Sequence, residues 1–116
     1  MAWRGFSADE VAAIGAASRA AGSANPRPGQ RLTELTCPHC GVRSLRTYLH
    51  TSGIALMSQV WCSRCERFAG STGPIPEGLR LTDPIDAERH AVLGVADLFQ
   101  ELNRLWGLGV LPQTYL

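Results

Sequence analysis

The sequence predicts a small α+β domain, and three observations predict it. Two Cys-x-x-Cys hooks, "CPHC" and "CSRC", flank a stretch that reads as a β-hairpin; a well-capped helix precedes them; a long amphipathic helix follows. A chain of 116 residues has room for one modest core. Its 45 % apolar and 18 % charged residues are ordinary for a single globular domain spanning 1–116 and argue against disorder.

The N-terminal helix is expected over residues 7–22. Ser7 is its N-cap, Glu10 three residues later completes a capping box, Phe6 and Val11 match a hydrophobic staple, and Gly22 is a natural stop. Inside, Val11 and Ile14 are the large apolar residues and most others are alanine, so this helix can approach a neighbour closely but buries little area. "SANPRPGQ", residues 23–30, reads as a linker, because Pro26 and Pro28 exclude helix and Gly29 offers a turn.

Residues 31–72 carry the sheet signals. A short strand over 31–35 leads into the first hook. Residues 42–50 then alternate, with Leu45, Thr47 and Leu49 on one face and Arg46, Tyr48 and His50 on the other. "HTSG" supplies turn chemistry, "IALMSQVW" returns as a second strand, and "RFAGST" gives a third, making a three-stranded sheet. After the Pro/Gly connector 73–78, a single helix is expected over 83–107, with Asp83 capping, Pro84 in the first turn and Gly107 at the end. Ile85, Val92, Val95, Phe99, Leu102 and Trp106 share one face, which Leu98 and Leu105 widen to about half the circumference, a broad amphipathic stripe. The apolar tail 108–116 adds more surface that needs cover.

Cys37, Cys40, Cys62 and Cys65 follow the spacing C-x2-C-x21-C-x2-C. Each hook can grip one ion with two thiolates, and a hairpin brings the two hooks together into a tetrahedron. Four thiolates that close the shell favour structural Zn²⁺. A catalytic zinc needs an open position. Rubredoxin-like iron is disfavoured because the second hook lacks the Pro and Gly of "CPHCG", and a redox dithiol because neither hook opens a helix after a strand. Disulfides are disfavoured by the reducing compartment in which this chain is expected.

These hooks resemble the zinc ribbon, a fold group in which two zinc knuckles are joined by a β-hairpin. The resemblance covers about a third of the chain and implies the metal and the local fold rather than a function. The second hook, "CSRCER", departs from the pattern: Glu66 stands where ribbons often place a small residue or glycine.

No stretch approaches the roughly 18 apolar residues of a membrane span, and Asp9 and Glu10 stand where a secretion signal would be basic and then apolar. The expected location is the cytoplasm. All basic residues are arginine, and with abundant alanine and glycine this points to a GC-rich bacterial genome. Ionising four thiols around one divalent ion takes the formal charge from +1 to −1, neither value the mark of a general polyanion binder. His39 is expected to be exposed and inert, and His50 and His90 have no neighbouring Ser, Asp or Cys pattern to make them catalytic bases.

With no nucleophile, acid–base pair or phosphate loop in view, the expected function is not enzymatic. It is that of a zinc-stabilised protein-interaction module: a regulator, an adaptor, or an inhibitor such as the immunity partner of a bacterial toxin. The expected interface is the last helix, toward a partner or a second copy, with Asp86, Asp97 and Glu101 as contacts for a basic surface. The alternative is a nucleic-acid-binding regulator using Arg43, Arg46, Arg64 and Arg67 on phosphates, with aromatics such as Tyr48, Trp61 and Phe68 to stack on bases.

Overall fold

A computed structural model describes residues 3–20 and 27–116. The α+β class is as expected. The chain runs β1 (Arg4–Gly5), α1 (Ala8–Ala20), β2 (Leu45–Ser52), β3 (Ala55–Cys62), β4 (Arg67–Pro74), α2 (Ala87–Val92) and α3 (Val95–Gly107). The three expected strands form an antiparallel meander. The short β1 joins them as a fourth, parallel to β4, giving the order β1-β4-β3-β2. Two residues before the helix cap carry too little pattern to be read as a strand. They pair because Arg4 and Phe6 donate their N–H groups to the carbonyls of Glu66 and Phe68.

The alternation read from β2 sets the two faces of the sheet. On one, Tyr48 and Trp61 join Leu98, Phe99, Leu102 and Leu105 of α3 in the main core, with Ile85 and Leu111. Phe99 is its hub, its ring centroid 4.8 Å from Trp3, 5.4 Å from Phe68 and 5.6 Å from Trp61. Burying side chains of this size contributes roughly 1.5–3 kcal/mol each. The other face carries a thinner cluster, Ile14 of α1 with Leu45, Cys37 and Cys62.

Ser7 and Glu10 form the predicted capping box: Glu10 N–H donates to Ser7 Oγ at 3.2 Å, and Ser7 N–H to Glu10 Oε1 at 2.8 Å. The staple does not form as expected, since Phe6 packs into the thinner cluster while Val11 is exposed. The Gly22 stop and residues 23–26 of the expected linker lie outside the described residues. The remainder of the linker is a tight turn, with Gln30 N–H donating to Arg27 O at 3.0 Å and Gly29 at φ 87°. The strand expected over 31–35 is reduced to two isolated bridges, Arg31 to Thr114 and Leu35 to Leu45.

The helix expected over 83–107 is two helices. Asp83 does not cap it: its carboxylate accepts from Tyr48 OH, from His50 Nδ1 and from Ile85 N–H. Helix therefore starts four residues later, where Asp86 accepts from Arg89 N–H at 2.8 Å. Leu93 and Gly94 are then both extended, at ψ 126° and 171°, and break the chain between α2 and α3. Val92 and Val95 flank that break and are exposed (81 % and 52 %) rather than on the buried stripe.

The tail 108–116 is covered in part, with Leu108, Val110 and Leu116 still exposed. Leu111, Gln113 and Tyr115 are buried, and the tail lies between the segments around residues 29–32 and 80–82. Gln113 closes the outer edge of the sheet as a strand would. Its side chain accepts from Leu49 N–H and donates to Leu49 O, each at 2.8 Å, and donates again to Thr82 O. Gln113→Leu keeps the volume but leaves three backbone groups without partners. It is expected to cost roughly 3 kcal/mol in chemical denaturation, whereas Gln100→Leu, on the exposed side of α3, stays within about 0.5 kcal/mol of the native chain.

Candidate metal centre

Cys37 and Cys40 lie in the turn before β2; Cys62 is the last residue of β3, and Cys65 lies in the turn that leads to β4. The two turns have the same build. Gly41 N–H donates to Cys37 O at 2.9 Å, and Glu66 N–H to Cys62 O at 3.1 Å. His39 N–H and Cys65 N–H each approach the first sulfur of their own hook at 3.4 Å. Both turns leave through a left-handed residue, Gly41 at φ 72° and Glu66 at φ 57°. The left-handed site in the second hook is thus occupied by a residue with a Cβ, and this is how the departure in "CSRCER" is accommodated. The hooks are tied together by Ser63 N–H donating to Ser44 O, and the reciprocal bonds between Leu35 and Leu45 close the base of the first.

All four sulfurs lie within 4.8 Å of one another. Cys37 Sγ is 3.8 Å from Cys65 Sγ, and Cys40 Sγ is 3.7 Å from Cys62 Sγ. A tetrahedral ion with metal–sulfur bonds of about 2.3 Å needs edges of about 3.8 Å. The residues therefore fit a four-coordinate metal ion, as the spacing predicts.

Their surroundings favour the thiolate unevenly. Burial pushes the Cys37 and Cys65 thiols up. At Cys62 burial also pushes upward, but the Ser44 hydroxyl and the amides of Cys65 and Arg64 outweigh it and hold the thiol at about 6. Ser44 Oγ is buried, 3.0 Å from Cys62 Sγ and 3.4 Å from Val42 O, within reach to donate to an anionic Cys62 sulfur. A metal takes thiolates, so at neutral pH Cys62 already stands close to its bound form.

His39 is exposed as expected but engaged: its Nδ1 lies 2.9 Å from Glu10 Oε2, so the first hook holds the capping box of α1. Arg46 does not stand free beside Arg43, Arg64 and Arg67. Its Nε donates to Glu34 at 3.1 Å, its Nη1 to Asn103 Oδ1 at 2.9 Å, and its guanidinium lies 4.7 Å over the Trp106 ring. Asn103 Oδ1 also accepts from Trp61 Nε1 at 2.8 Å, so this network binds α3 to the sheet. Glu101 is likewise taken up, by Arg89 and Arg104.

A second polar cluster lies on the opposite face, between residues far apart in sequence. His50 Nδ1–H donates to Asp83 Oδ2 at 2.7 Å, and Tyr48 OH to Asp83 Oδ1 at 2.6 Å. The His90 ring, from α2, stacks on His50 with centroids 3.9 Å apart and planes 3° from parallel. His90 Nε2 is buried without a hydrogen-bond partner. The residue alternation placed Tyr48 and His50 on one face, but nothing in sequence spacing brings Asp83 and His90 to them.

Comparison of the chain with protein-family models, with curated proteins and with solved structures finds no match. Among the described residues no helix is long and apolar enough to cross a membrane.

The two left-handed exits respond differently to substitution. A methyl at Gly41 would meet open space, but the backbone there disfavours any side chain. Gly41→Ala is expected to lose about 1 kcal/mol of stability, and Glu66→Gly to change it by less than that or to raise it, both read by denaturation of the metal-loaded protein. The histidine stack makes the fold sensitive to acid. Burial, followed by the neighbouring His50, holds the His90 imidazole below its ordinary range, against the opposing pull of Asp83. In the unfolded chain His90 takes up its proton near pH 6.5, earlier than in the folded protein. Stability is therefore expected to fall as pH drops below about 6.5, because the unfolded state then binds more protons. His90→Phe keeps the stack and removes this component, so its melting temperature should decline less steeply than that of the native chain between pH 7.5 and 6; equal slopes refute the assignment.

Proposed function

We propose that the chain is a zinc-stabilised interaction module of zinc-ribbon type, without catalytic activity. The observation that carries this reading is the closed set of four sulfurs at tetrahedral spacing. Every cysteine of the chain is used, which leaves a bound ion no open position for chemistry and gives it a structural role. Zn²⁺ is the ion that four thiolates select.

The surface we assign to a protein partner is the corner between α2 and α3. The stripe of α3 that would have needed a partner is covered by the sheet. The large apolar residues left exposed on these helices are Val92 and Val95, with exposed carboxylates at the starts of the same two helices, Asp86 and Asp97, which suits a partner carrying both an apolar spot and basic residues.

A nucleic-acid reading has one observation in its favour. Arg4 and Arg67 are in register as cross-strand neighbours, so two like charges share one face of the sheet edge, with Arg64 in the adjoining hook. None of the three pairs with a carboxylate among the described residues. Like charges so placed are unfavourable until an anion joins them.

Native mass spectrometry is expected to find one zinc per chain, and a strong chelator to abolish cooperative melting, since zinc binding of about 10–16 kcal/mol rivals the stability of a small domain. An unchanged melt after chelation would overturn the metal assignment. A protein retained by the native chain and lost with Val92→Arg/Val95→Arg, at unaltered melting temperature, supports the interaction surface. Binding to DNA or RNA that falls steeply with salt and is lost in Arg64→Ala/Arg67→Ala would instead favour the second reading. Arg46 is unsuited to that test because its removal also loosens α3.

A further inference from the structure

The face of the sheet that carries the metal is incompletely filled. Thr47 and Leu49 of β2, Leu56, Ser58 and Val60 of β3, and Ala69 of β4 look toward α1, which presents Ile14, Gly15 and Ser18. Ile14 reaches the sheet beside Leu45, but Gly15 and Ser18 are short, and a cavity of about 370 Å³ remains between helix and sheet. The cavity opens to solvent on one side, so a small molecule can enter it. It lies within the range of about 300–1,000 Å³ over which small molecules are bound.

The lining states the chemistry of what fits. It is apolar on the floor, through Leu49, Leu56 and Val60, with hydroxyls from Ser18, Thr33 and Ser58 among the apolar groups. Among the described residues it includes one charged side chain, Arg31, and no carboxylate. Arg31, one of the lining residues, is exposed, and its guanidinium spends one donor on Pro112 O at 3.2 Å. It has no ion-pair partner among the described residues. A single guanidinium is a forked donor matched to one carboxylate, whereas a phosphate group would call for more positive charge than this cavity holds.

We propose that the cavity between α1 and the sheet binds one small apolar monocarboxylate, its chain lying on Leu49, Leu56 and Val60 and its carboxylate meeting Arg31. The site is distinct from the metal centre and independent of whether the chain also binds a macromolecule.

The test uses the full, metal-loaded chain, with decanoate, decanol and decylammonium as probes followed by calorimetry and amide chemical shifts. Decanoate is expected to bind saturably at one per chain, with shifts centred on α1 and the facing positions of β2 and β3. Decanol should bind about tenfold or more weakly, for want of the charge-assisted bond, and decylammonium weaker still. Arg31→Gln should bring decanoate to the level of decanol and leave decanol unchanged. Ser58→Phe, or Thr47→Phe should the first misfold, fills the space and should abolish binding of both. Absence of saturable decanoate binding, shifts mapping elsewhere, or decylammonium binding as tightly as decanoate would each overturn the proposal.

Discussion

The sulfur tetrahedron fixes the open end of the central hairpin, and the arrangement of one whole face follows from it. Cys62 ends β3 directly opposite Leu45, which begins β2, while Cys37 lies just before that strand and Cys65 just after β3. Holding the four together sets where both strands start and stop, and so which side chains reach each face. The first hook then positions α1 through His39 and Glu10, and the exit from the second hook positions β1 through the carbonyl of Glu66. Neither α1 nor β1 has enough apolar area of its own to find its place unaided.

The two faces are stabilised in different ways. Against α3 the sheet has a hydrophobic core with three tryptophan or phenylalanine rings around Phe99, and its polar atoms are paired through Asn103 and Arg46. Against α1 the buried cluster contains two large aliphatic side chains, Ile14 and Leu45, and otherwise sulfur. At roughly 1.5–3 kcal/mol for each buried side chain, that cluster is far short of what a structural zinc contributes. A metal ion held by the four sulfurs would stand where the other face has its aromatic rings.

Local patterns were legible in the sequence wherever local chemistry decides the structure. The Ser7–Glu10 capping box, the alternation of β2 and the spacing of the four cysteines all depend on residues a few positions apart or on a repeated hook. What was not legible depends on tertiary competition. "TDPIDAERH" offers two aspartates that could cap a helix, and the choice fell to Asp86 because Tyr48 and His50 from the sheet claim Asp83. The break at Leu93–Gly94 follows from fitting one element over Tyr48 and His50 and the next over Trp61 and Phe68. The periodic stripe passed through that break without a signal. Arg46 read as a surface cation because its partners, Glu34, Asn103 and Trp106, lie on three separate segments.

The weakness of α1 as a packing element then has a physical place in the fold. In a domain held by its hydrophobic core alone, a helix whose inner side is Ile14, Gly15 and Ser18 would be a poor cover for a sheet, because each missing methylene costs dispersion contacts and leaves space. Larger residues at those positions would close the face and add stability. That gain is least needed where a metal ion held by the four sulfurs would fix the hooks, the strand ends and the helix start. The small residues of α1 and the four cysteines are consistent with each other: tethering by an ion at the four sulfurs would let this face stay open, with space over Leu49, Leu56 and Val60 beside a centre whose four ligands are all cysteine.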